Sequence, residues 1–153
     1  MGHEVMTIRE VASGKGAYME LLLEGDEQEE LVGRYLGRGR LFVMESVGST
    51  IAVCVVTDEG DGVCEIKNIA VARDFRRHGY GRRMVEEMIA VFRPQFGVML
   101  VGTGETPGTL AFYRSCGFEY SHRVEGFFTD NYDHEIVEEG VTLKDMVYLK
   151  LEL

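Results

Sequence analysis

The chain has 153 residues, 45% of them apolar and 27% charged, enough for one domain with its own core. Its formal charge of −10 argues against nucleic acid or an anionic membrane surface as partner, and no apolar run approaches the ~18 to 20 residues that span a bilayer. Cys54, Cys64 and Cys116 show neither metal-ligand spacing nor an even disulfide set, so reduced thiols, a cytoplasmic location and no bound metal are expected.

The predicted elements run as follows. Val5 to Arg9 alternates weakly and reads as a first strand. Tyr18 to Leu36 reads as one or two helices broken at Glu24-Gly25-Asp26, with Leu31, Val32, Tyr35 and Leu36 at helical spacing. Arg40 to Ser46 and Thr50 to Thr57 form a hairpin across Val47-Gly48-Ser49, and a tight turn at Asp58 to Gly62 leads into a strand from Val63 to Val71. Arg82 to Phe92 is an amphipathic helix with Met84, Val85, Met88, Ile89 and Phe92 on its core face. Val98 to Thr103 is a short buried strand, and Thr109 to Cys116 a helix closed by Gly117. Phe118 to Val124 and Asp145 to Glu152 are the last two strands. A strand–helix–strand unit from 63 to 103 needs a parallel crossover inside a mostly antiparallel sheet. The expected class is α+β, three layers (α/β/α), with a mixed sheet of about seven strands and helices on both faces.

The most informative stretch is Arg76-Arg77-His78-Gly79-Tyr80-Gly81, between the fourth strand and the long helix. Gly79 and Gly81 let the backbone take positive φ and approach a ligand closely, and the helix that follows brings its positive dipole end to the same place. Arg73, Arg76, Arg77, Arg82 and Arg83 cluster here against one acid, Asp74, in an otherwise acidic chain. An anionic ligand is the simpler reason for that cluster; a basic solvated helix start is the other. No Gly-Lys-Ser/Thr follows, so this is not a Walker loop. The three-glycine dinucleotide spacing is missing too.

Asn68-Ile69-Ala70-Val71 followed by Arg76-x-x-Gly-x-Gly resembles the fourth strand and coenzyme A pyrophosphate loop of the GNAT family of N-acetyltransferases. Leu110-Ala111-Phe112-Tyr113-Arg114-Ser115-Cys116-Gly117-Phe118 resembles the helix and strand that follow in that family. The tail, with Phe127-Phe128, Tyr132, Glu139-Gly140 and Asp145-Met146, looks like one bacterial branch of it. The resemblance implies a single N-acetyltransferase domain over residues 1–153 that uses acetyl-CoA as cosubstrate. It implies that the strands carrying 63–71 and 98–103 splay apart. The backbone of Ile69, Ala70 and Val71 would pair with the pantetheine arm. The amides of Arg77, His78, Gly79, Tyr80, Gly81 and Arg82, with Arg76 beside them, would hold the pyrophosphate. Thr106 stands where many members carry an asparagine for the cofactor arm.

The same resemblance assigns the chemistry. The Val71 amide would stabilise charge on the thioester oxygen. Tyr113 would give a proton to the leaving thiolate, its alternative being a packed core tyrosine. Glu65, 11 positions before Arg76, would be the general base, its alternative being a strand residue paired with Lys67. Asp130, Asp133, Glu135, Glu138, Glu139 and Asp145, against only Lys144 and His134, suggest an acidic mouth for a small cationic amine or peptide amine, the alternative being an ordinary solvated loop. A homodimer is left open. A non-catalytic acyl-CoA-binding domain is the competing reading, and a pure interaction module ranks behind both.

Overall fold

A computed structural model describes residues 6–26 and 28–153. The elements are β1 (Thr7–Val11), α1 (Met19–Gly25), α2 (Glu29–Leu36), β2 (Arg40–Ser46), β3 (Ser49–Gly60), β4 (Val63–Val71) and α3 (Tyr80–Phe92). Then come β5 (Val98–Gly104), α4 (Pro107–Ser115), β6 (Glu119–Val124), α5 (Phe127–Asn131), β7 (Val137–Glu138), β8 (Val141–Thr142) and β9 (Met146–Glu152). Seven strands form one sheet in the order β1-β2-β3-β4-β5-β9-β6. Every neighbouring pair is antiparallel except β4 with β5. The helical layers lie where periodicity placed them. Leu22, Val32, Tyr35 and Leu36 of α1 and α2 pack on Leu41, Val53 and Ala70 of one sheet face. Met84, Val85, Met88 and Phe92 of α3 pack with Tyr113 on Cys54, Ile66 and Val101 of the other.

The first strand is Thr7–Val11, and Val5 lies outside the described residues. The long helix begins at Tyr80, two positions before Arg82, because Gly79 at φ 82 already turns the chain into it. The next helix begins at Pro107, a residue whose fixed φ and missing N–H suit a first helical position. β3 runs on to Gly60, so the turn narrows to Asp61-Gly62, with φ of 53 and 77. Positive φ at both positions is the loop that matches the twist of a hairpin. The same device at Glu139-Gly140, with φ of 51 and 75, makes the small β7–β8 hairpin. Neither that hairpin nor α5 has enough periodicity to be seen in the sequence. Phe128, Ile136 and Leu143, with Phe127, Tyr132 and Met146 against them, form a small core of their own under this tail.

One irregularity positions everything that follows. Val55 faces Asn68 and Val56 faces Ile66, so Lys67 is an extra residue on β4. This is a β-bulge. The ladder from β4 to β5 covers only Val63–Ile66 against Val98–Val101 and stops beside the bulge. Beyond it the two strands part, as expected.

Candidate active site

The parted strands leave backbone groups without a ladder partner on one side. Ala72 N–H donates to Ile51 O of β3 at 2.8 Å. The alternation of an antiparallel strand therefore turns the N–H groups of Val71 and Ile69 away from β3, into the gap. The carbonyl of Val71 accepts from Arg76 Nε at 3.0 Å.

A cleft of about 560 Å³ opens from this gap on the α3 and α4 side. Ile69, Val71, Arg76, Arg77, Gly79, Tyr80, Gly81, Arg82 and Tyr113 line it, all expected from sequence. Phe75, Phe112, Thr109 and Glu139 line it as well and were not anticipated. Ala70, His78 and Thr106 do not line it. Ala70 packs on the α1 and α2 face, His78 is exposed beside the Tyr80 ring, and Thr106 is fully buried with its hydroxyl on that of Thr109 at 2.9 Å. The first turn of α3 carries no acid and no side-chain cap. Its orphan N–H groups and positive dipole end suit an anion. Arg77, at φ 66, and Gly79 curl the preceding loop in the left-handed region, a conformation that gathers successive N–H groups. Two arginines are already engaged: Arg76 pairs with Glu24 at 2.9 Å, and Arg82 with Glu86 at 3.1 Å.

A second cavity, of about 260 Å³, lies on the other side of the gap. Ile69, Thr109 and Tyr113 line both spaces, so the two meet there. Glu24, Asp26, Asn68, Phe128, Tyr132 and Glu138 line the second cavity but not the cleft. Tyr113 is 6% exposed, and burial, the largest influence on it, raises its phenol further above the ordinary value of 10. It therefore holds its proton at neutral pH. The Glu138 charge acts on it in the same direction.

Glu65 is buried and lines neither of these spaces. It lines a cavity of about 200 Å³ that adjoins the second through Asp26, Ile66, Lys67 and Tyr132. Its carboxylate pairs with Lys67 Nζ at 3.1 Å. Burial raises its pKa above the usual carboxylate value, with Lys67 opposing.

The acidic mouth is built differently from the expectation. Of the six tail acids, Glu138 lines the second cavity, while Asp130, Asp133, Glu135 and Asp145 do not. Asp145 instead binds Arg123 at 2.8 Å and the Gly126 amide at 2.9 Å. Glu139 reaches the cleft and accepts from Gly108 N–H at the start of α4, at 3.1 Å. The remaining acids of the cavity, Glu24 and Asp26, come from the junction of α1 and α2. Asp26 accepts from the hydroxyls of Tyr132 at 2.6 Å and Tyr35 at 3.2 Å.

The chain is similar to known proteins. A family model, the acetyltransferase (GNAT) domain, matches residues 37–120. The uncharacterized N-acetyltransferase YvbK of Bacillus subtilis (strain 168) is 31% identical over 136 residues, 88% of each chain. The structure of a GNAT family acetyltransferase from Elizabethkingia anophelis, with acetyl-CoA bound, superposes with a TM-score of 0.92 at 32% identity, over 97% of this chain and 98% of that one. An acetyltransferase of Bacillus subtilis in complex with CoA gives 0.90 at 28% identity, over 97% and 99%. With the parted strands, the uncapped helix start and these likenesses together, the chain belongs to the GNAT family and is an N-acetyltransferase.

Proposed function

We propose that this enzyme moves the acetyl group of acetyl-CoA directly to a primary amine, a small cationic amine or a peptide amine, with both substrates bound at once. The observation that carries the reading is the meeting of two cavities at Tyr113, one of them ending on the bare N-terminus of α3. The chain fits coenzyme A: unpaired strand amides stand in the gap, and cap-free helix amides stand beside arginines at its outer end. Acetyl-CoA supplies an acetyl group activated as a thioester.

The residues divide the work. Ile69 and Val71 offer backbone to the pantetheine arm, while Ala70, in phase with Ala72, turns its own toward β3, and the loop from Arg77 to Arg82 holds the pyrophosphate. Val71 N–H receives the charge that gathers on the carbonyl oxygen as the amine nitrogen attacks. Tyr113 gives its hydroxyl proton to the departing sulfur as the carbon–sulfur bond breaks. Glu65, on the adjoining cavity beyond the far end, takes the proton of the amine through a relay of waters along the second cavity. Thr109, which lines the cleft where Thr106 does not, serves the cofactor arm in place of Thr106. Relatives bound to acetyl-CoA and to CoA support the cosubstrate.

The test begins with calorimetric titration of acetyl-CoA and of dephospho-CoA. Binding is expected, weakened by about tenfold or more in Gly81→Glu, where a carboxylate would enter the cleft floor beside the helix start. Thiol release with an amine library then follows in the wild type and in Tyr113→Phe. The variant should lose about a hundredfold or more in kcat while keeping its acetyl-CoA affinity. Unchanged turnover in Tyr113→Phe removes the acid role, and no acetyl-CoA binding removes the reading as a whole.

A further inference from the structure

We infer that Asp26 is a specificity-determining carboxylate: it receives a second, non-reacting cationic group of the acceptor, so that the preferred acceptor is a diamine rather than a monoamine. This rests on the proposed acetyl transfer and concerns the same cavity.

The cavity has two ends. Ile69, Thr109 and Tyr113 are shared with the cofactor cleft, so the reacting amine belongs there. Asp26, Lys67 and Tyr132 are shared with the space around Glu65, so they form the far end. The carboxylate at that end is fixed. Tyr132 donates to Oδ1 at 2.6 Å and Tyr35 to Oδ2 at 3.2 Å, and Tyr35 is itself held by Asn68 Nδ2 at 3.0 Å.

Two of the other charged groups of this lining are paired with opposite charges. Glu24 is paired with Arg76 at 2.9 Å, and Lys67 with Glu65 at 3.1 Å. Asp26 accepts from two neutral phenols and from no cation among the described residues. A carboxylate drawn partly out of water and held only by uncharged donors gains most from an arriving cation. The other feature of this end is Asn68, 4% exposed and in the wall of the same cavity. Its Nδ2 is satisfied by Leu22 O and by Tyr35. Its Oδ1 is buried and has no hydrogen-bond partner among the described residues. Gly25, beside Asp26, faces that oxygen; a Cβ there would come within 2.2 Å of it. A buried amide oxygen without a donor keeps its partial negative charge uncompensated, and that charge adds to the pull of this end on a cation. The rings of Phe128 and Tyr132, stacked with centroids 5.5 Å apart, close the wall.

Steady-state thiol release with diaminobutane and with butylamine tests this. Wild type should prefer diaminobutane. Asp26→Asn should raise its KM by about tenfold or more, hold kcat within about threefold, and leave butylamine unchanged. Tyr132→Phe should move the same KM less far. Equal effects on both amines, or an effect on kcat alone, overturn the inference. If wild type binds acetyl-CoA but acetylates neither amine, the small-amine part of the proposed function fails. Calorimetric titration of diaminobutane into the CoA-bound protein then decides the inference separately. Binding that is lost in Asp26→Asn sustains it, and no binding to wild type overturns it.

Discussion

At the scale of single residues, the sequence is readable where a motif is local. Tyr113 and the glycines of the loop lie in short strings, and each lines the cleft as expected. Asp26 and Tyr132 carry no such signal, because the hydrogen bond that joins them spans 106 positions. Glu65 lies between these cases. Its spacing from Arg76 marks it as a candidate and its neighbour Lys67 as a partner; the fold has that pairing and puts Glu65 on an adjoining cavity, which no local pattern signals. Its proposed role has a pH signature. Burial raises the carboxyl above 4.5, and a base works only when deprotonated. Wild-type kcat should therefore rise with pH through that raised value. Glu65→Gln should lower kcat by about a hundredfold and abolish this acidic limb. A variant that keeps the limb shows that another group is the base.

At the scale of elements, the long periodic ones were the legible ones. The core face read for α3 is the face it buries, because five apolar side chains at helical spacing have one place to go. Phe92 anchors its C-terminal end. It is 1% exposed, meets Phe42 edge-on with centroids 5.8 Å apart, and carries the Arg40 guanidinium 4.8 Å from its ring centre. Phe92→Ala should cost about 3–5 kcal/mol, read from urea denaturation. A loss below about 1 kcal/mol would mean that the helix end is not docked as described. The short elements follow a different logic. The β7–β8 hairpin is two residues a side, too short for any alternation to register. It is placed by its turn and by Glu139, whose carboxyl lies below the usual range. The Thr106 hydroxyl lowers it most, with the Gly108 and Thr109 amides adding to this. One turn thereby joins two walls, since Glu138 lines the second cavity and Glu139 the cleft.

At the scale of the whole molecule, the mixed sheet was legible from the order of elements, since one helical crossover in an antiparallel run leaves few arrangements. The insertion of β9 between β5 and β6 was not, because no local pattern says which edge a last strand joins. The bulge at Lys67 was not legible either, yet the gap between β4 and β5 begins there. Side chains on either side of it keep their faces: Cys64 and Ile66 join the α3 layer, as do Ile69 and Val71 beyond it. Removing Lys67 would leave that alternation intact and make β4 a regular strand. The deletion variant is expected to fold, by circular dichroism and a cooperative melt, while losing acetyl-CoA binding. A variant that still binds would show that the strands part for another reason. In terms of descent, a catalytic and an inert version of this sheet would then differ by the length of one strand. A change of a single codon in number, not in meaning, would be enough to pass between them.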